Sequence, residues 1–188
     1  MKKLLFLLLL GFTSWLHAWA GVHPTQPVAD LVNRVCGTGA SDHFVFTLNP
    51  ELNGGKEAFQ LGYLNEKVTV TGSSLSALTT GLNWYLKHDA HVHISWNNLT
   101  ETPAAYPVPK DQNVHATTSE YRYYLNYCTF SYSMSMWDEA RWMKELDWMA
   151  LHGINLPLQI VGIDAVWYQM LTEDFGFTHD EANQFVVG

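Results

Sequence analysis

The chain has 188 residues, 47% hydrophobic and 15% charged, with 18 acidic against 10 basic side chains. That length suits one domain or two small ones, and it is too short for a complete (β/α)8 barrel, which takes at least about 200 residues. The net charge of -8 argues against a nucleic-acid binder, which needs a basic face to neutralise phosphates, and the apolar content argues against a disordered chain.

The first twenty residues read as a signal peptide. Lys2 and Lys3 form a positive n-region, Leu4 to Phe12 an apolar run, and Ala18-Trp19-Ala20 the small-x-small pattern that precedes cleavage. The apolar run is too short for a mature membrane span; a retained anchor is the alternative. Residues 1–20 are therefore expected to be removed, leaving an exported chain in the periplasm or medium, or in a lysosome if the source is eukaryotic. Cys36 and Cys128 are expected to be two free thiols, since so distant a pair defines no disulfide framework, although pairing stays open. Asn98-Leu99-Thr100 is a glycosylation triplet that matters only in a eukaryote.

Residues 21–115 read as a small α/β domain. Val28, Leu31, Val32 and Val35 fall at i, i+3, i+4 and i+7, predicting a helix over 27–36 that Gly37 ends. Phe44, Phe46 and Leu48 alternate as in a half-buried strand; 58–61 and 68–70 predict two more, with Asn53-Gly54-Gly55 as a turn before the first. Ser73 or Ser74 caps a helix to about Lys87, and 91–96 alternates as a further strand. Residues 102–119, with Pro103, Pro107 and Pro109, predict a linker.

Residues 116–188 are richer in aromatics. A strand is expected over 121–128. Ser135 and Asp138 form the pattern of a capping box for a helix to about His152, with Ala140, Met143, Leu146 and Met149 as its apolar stripe and Glu139, Glu145 and Asp147 on a solvated face. A strand over 154–160 and a helix over 164–175 follow, and Thr178 and Glu181 box a third helix. Strand, crossover helix and second strand make a parallel βαβ unit, the beginning of a larger α/β structure.

Local motifs carry little chemistry. Asn53-Gly54-Gly55-Lys56 lacks the elements of a phosphate loop, and no nucleophile elbow is present. His91 and His93 share a strand face, but no further ligands stand at metal-binding spacing, so packed or solvated histidines are the simpler reading. Position says more. In an α/β barrel the site lies at the C-terminal strand ends, which here carry Asn126 and Cys128, then Gly162 and Asp164. Asn126 and Cys128 would share one strand face, the amide meeting a sugar hydroxyl or N-acetyl group and the thiol packing as a small apolar wall. The tryptophans at 137, 142, 148 and 167 are either core or sugar-stacking platforms.

The segment YRYYLNYCTFSYSMSMWDEARWMKELDWMALHGINLPL, residues 121–158, closely resembles the start of the catalytic domain of the α-N-acetylglucosaminidases, glycoside hydrolase family 89. The first half resembles the small N-terminal domain of that family more loosely. The resemblance implies removal of terminal α-linked N-acetylglucosamine from glycans or glycosaminoglycan-like chains. It implies a retaining mechanism with two glutamates, and neither metal nor cofactor. It also implies a barrel whose later strands carry those glutamates beyond Gly188, so that this chain alone is a fragment without glycosidase activity and its partner is the remainder of the same protein. No membrane span is expected after leader cleavage. By position, Asn126, Cys128 and Asp164 would bind substrate. Where the family reads Gly-Gln-Glu-Ala-x-Trp, this chain has Gly162-Ile163-Asp164-Ala165-Val166-Trp167. Asp164 would therefore reach about 1.5 Å less far than a glutamate, and Ile163 lacks the amide. The alternative is a finished, non-catalytic carbohydrate-binding or interaction module.

Overall fold

The computed structural model describes residues 23–158 and 162–187, without the side chains of Phe130 and Ser131. The leader expected over 1–20 lies outside the described residues, as do positions 159 and 160 of the strand expected over 154–160. The fold is mixed α/β: a four-stranded sheet with two helices, followed by the first βαβα units of a barrel-type domain.

Helix α1 spans Gln26–Cys36 and buries Val28, Leu31, Val32 and Val35, the stripe that its period predicts. Strand β1 is Phe44–Leu48, β2 Ala58–Leu64 and β3 Lys67–Gly72. β3 lies centrally, parallel to β1 and antiparallel to β2, with Phe44 opposite Val68 and Leu61 opposite Val70. Helix α2, Leu75–His88, starts at Ser74, whose hydroxyl accepts the Ala77 N–H at 3.0 Å. It crosses the sheet closely at Gly81, where an added Cβ would lie 2.9 Å from Val70 Cγ1. Leu78, Leu82, Tyr85 and Leu86 of α2 join the α1 stripe and the inward sheet residues in one core.

Two expectations change here. Residues 91–96 form no strand. Val92 and Ile94 are buried, which accounts for the alternation, but His91 has a left-handed φ of 56° and the segment has only the isolated bridge between Ser95 and Asn98. The fourth strand is β4, Val114–Ala116, antiparallel to β2. The proline segment before it is bound to the domain: Tyr85 donates its hydroxyl to the Pro107 carbonyl at 2.9 Å, Asp89 accepts the Lys110 N–H at 3.0 Å, and Tyr106 stacks on His43 at 3.9 Å. Prolines keep this path extended, and buried partners hold it.

The second half is β5 (Tyr123–Tyr124), α3 (Glu139–Leu151), β6 (Leu156–Pro157), α4 (Ile163–Glu173) and α5 (His179–Val187), with β5 parallel to β6. The strand expected over 121–128 shrinks to two residues, because Leu125 turns left-handed (φ 84°) and residues 127–131 coil into a 3₁₀ turn. α3 is capped by Asp138 alone, whose carboxylate accepts the Arg141 N–H at 2.8 Å; the Ser135 box does not form. The Thr178–Glu181 box does form, with both Thr178 donors on Glu181 at 2.9 and 2.7 Å. These bonds hold the Glu181 carboxyl below its ordinary pKa.

The faces of α3 depart most from expectation. Glu145 and Asp147 are buried, whereas Met143 and Leu146 are 42% and 48% exposed. The reason is partners: the first half meets this helix with polar groups. Arg34 of α1 binds Asp147 through two bonds of 2.8 and 2.7 Å, and Thr79 of α2 donates to the Ala150 carbonyl at 2.6 Å. Arg122, just before β5, reaches Glu57 at 3.0 Å and the Gly153 carbonyl. Leu151 sits in the first-half core, so the core runs across both halves. No helix among the described residues is long and apolar enough to cross a membrane.

Candidate functional site

The C-terminal end of β5 opens into a cleft of about 810 Å³. β5 is held by β6 through the Leu156 N–H on the Arg122 carbonyl at 3.3 Å and the Leu158 N–H on the Tyr124 carbonyl at 3.0 Å. The left-handed Leu125 then redirects the chain, a conformation costing on the order of 1–3 kcal/mol for a residue with a side chain. Its burial at 7% exposure offsets that cost. Asn126 follows in extended geometry and caps the 3₁₀ turn, its side-chain oxygen accepting the Cys128 N–H at 2.9 Å. Tyr123, Tyr124, Tyr127 and Tyr132 give the cleft aromatic walls; Asn126, Thr129 and Ser133 give it polar atoms. One further wall, Trp96, comes from the first half of the chain.

Beneath this cleft lies a polar hub absent from the sequence reading. Glu145 has 0% exposure. Its Oε1 accepts the Tyr124 hydroxyl at 2.8 Å; its Oε2 accepts the Trp96 indole N–H at 2.8 Å and Arg141 Nη1 at 3.1 Å. Three donors compensate a carboxylate that burial would otherwise make very costly. Burial, reinforced by the bond to Glu145, pushes the Tyr124 hydroxyl well above its ordinary pKa, so it stays a proton donor. The Arg141 guanidinium lies 3.8 Å above the Trp137 ring and 5.6 Å from that of Trp96, and Trp137 packs edge-on to Trp142 at 5.0 Å. Trp148 stacks on His152 at 4.3 Å, whereas Trp167 stays 46% exposed near Phe185. The spacing of Arg141 and Glu145 at i, i+4 was the available signal for the hub, but nothing local marks Trp96 and Tyr124 as its other members.

The sequence-derived residues are only partly gathered. Asn126 lines the cleft. Cys128 is half-buried and follows inside the 3₁₀ turn, so the two do not share a strand face. Asp164 is exposed in the first turn of α4, where a helix N-terminus favours a carboxylate, and is not among the cleft lining. Both cysteines are free. No cluster of three or more His, Cys, Asp or Glu suited to a metal occurs among the described residues.

Comparison with known proteins finds matches in both halves of the chain. Residues 26–110 match the alpha-N-acetylglucosaminidase (NAGLU) N-terminal domain, and residues 122–188 match the alpha-N-acetylglucosaminidase (NAGLU) tim-barrel domain. The chain belongs to the α-N-acetylglucosaminidase family. Alpha-N-acetylglucosaminidase of Homo sapiens is 37% identical over 165 residues, covering 86% of this chain and 22% of the human protein. A family 89 glycoside hydrolase from Clostridium perfringens, solved with its substrate GlcNAc-α-1,4-galactose and also with PUGNAc, is 35% identical with a TM-score of 0.73. The likeness covers 85% of this chain and 18% of that one. The chain thus spans about a fifth of the length of these α-N-acetylglucosaminidase relatives.

Proposed function

We propose that this chain is the N-terminal part of an exported glycoside hydrolase that removes terminal α-linked N-acetylglucosamine from glycans. The carrying observation is that the barrel-type half, which belongs to a glycosidase family, opens at the end of β5 into a cleft that combines an amide with aromatic walls. In this reading the chain has two units meeting near 115, where β4 closes the first sheet. Asn126 binds the terminal sugar, with Cys128 and Asp164 as further substrate-contacting residues. Residues 1–20 direct export.

The reaction retains anomeric configuration. One glutamate protonates the leaving oxygen and a second forms a glycosyl-enzyme that water then hydrolyses. Neither is drawn from the cleft, whose lining among the described residues contains no Asp or Glu; Glu145 is sealed beneath it by three donors. The acid and nucleophile belong to the remainder of the protein. The part of this chain is to bind and orient the sugar: Asn126 offers both an acceptor and donors to a hydroxyl or acetamido group, and the ring faces meet its C–H surfaces.

The test is expression of the whole reading frame that begins with this chain, assayed on p-nitrophenyl α-N-acetylglucosaminide. Hydrolysis with α-configured N-acetylglucosamine as first product is expected, with none by residues 21–188 alone. A whole product inert to every α-N-acetylglucosaminide would overturn the reading.

A further inference from the structure

We propose that Trp96 is a sugar-contacting wall of the cleft, supplied by the N-terminal domain, and that Glu145 is the residue that positions it. The inference rests on the cleft being the substrate subsite, as argued above. Trp96 sits at the tip of a tight turn closed by Ser95 and Asn98, whose backbones exchange bonds of 2.8 and 3.0 Å. The turn is rooted by Ile94, which is 1% exposed. The indole extends from there to line the cleft together with Asn126 and Tyr127, and keeps 42% of its surface exposed.

An exposed tryptophan at a turn tip would ordinarily sample several rotamers. This one is held: its N–H is fixed on Glu145 at 2.8 Å, and its ring lies 5.9 Å from that of Trp137. The same carboxylate fixes the Tyr124 hydroxyl, and Tyr124 also lines the cleft. One fully buried group therefore orients two walls that come from opposite halves of the chain. A surface aromatic locked in this way presents a rigid apolar face beside a polar amide. That pair suits a pyranose, which offers C–H groups on one face and an acetamido group or hydroxyls at its rim.

The experiment is steady-state kinetics of the whole gene product on GlcNAc-α-1,4-galactose. W96A is expected to raise KM about tenfold with kcat within about threefold, because it removes binding shared by ground and transition states. W96F, which keeps a ring without the N–H, raises KM less and serves if W96A fails to fold. E145Q raises KM several-fold, and in the double variant W96A/E145Q it adds clearly less than it does in the wild type, since Glu145 acts partly through the Trp96 ring and otherwise through Tyr124. A merely structural role for Glu145 would instead multiply the two effects, and that result would overturn its positioning role. Unchanged KM in folded W96A and W96F of an active enzyme would overturn the inference while leaving the functional reading intact. An inert wild-type product would overturn the reading and the inference with it.

Discussion

Arg34 and Asp147, 113 positions apart, form a two-point ion pair: Nε meets Oδ2 at 2.8 Å and Nη2 meets Oδ1 at 2.7 Å. The pair ties the last turn of α1 to α3, with the Asp147 side chain 11% exposed and the Arg34 side chain 45%. D147N is expected to cost about 1–2 kcal/mol, the lower part of the range for charge-assisted bonds, because water and salt screen the open Arg34 side. A double-mutant cycle with R34M in denaturant unfolding should give a coupling near 1 kcal/mol that shrinks in high salt. Zero coupling would show that packing alone joins the two helices.

Gly81 separates helix propensity from packing. Alanine should favour an exposed helix position by about 1 kcal/mol. At this site its Cβ would lie 2.9 Å from Val70 Cγ1 and 3.0 Å from the Phe59 ring. Overpacking of that kind costs about 1–3 kcal/mol, so G81A is expected to destabilise by up to about 2 kcal/mol net. A midpoint of urea unfolding above that of the parent chain would contradict the close approach of α2 to the sheet.

His152 makes stability depend on pH. Burial depresses its pKa below 6.5, although its bond to the Trp148 carbonyl opposes the shift. The unfolded chain therefore binds the proton more readily than the native one. The stabilisation is complete above about pH 6.5 and is lost as pH falls through the lower native value. Urea midpoints measured from pH 7.5 to 5 should fall more steeply in the parent than in H152Q; parallel profiles would rule His152 out as the source.

The two thiols should react separately. Cys36 is 1% exposed, and burial pushes its pKa up to about 12, so at pH 8 almost none is thiolate. Cys128 is half-buried within the 3₁₀ turn. A disulfide reagent such as DTNB should titrate one thiol in the native chain at pH 8 and two in denaturant. Two thiols reacting at equal rates in the native chain would contradict the burial of Cys36, and none reacting in denaturant would reveal a disulfide.

The sequence by itself determined the elements whose own residues carry their reason to form. The α1 stripe Val28–Leu31–Val32–Val35, the alternation of β1, the Ser74 cap and the Thr178–Glu181 box are local patterns. The long motif of 121–158 is likewise written in consecutive residues, and the family followed from it. Tertiary structure decided what depends on a partner. Residues 91–96 alternate in burial yet pair with no strand, while Val114 to Ala116, behind a run of prolines, become β4 because β2 offers them a free edge. Glu145 and Asp147 lie on what reads as a solvated helix face, and both are buried because Trp96, Tyr124, Arg141 and Arg34 come to meet them. Periodicity reports the polarity of a face and not what will cover it; a carboxylate enters the interior only when donors from distant parts of the chain arrive with it.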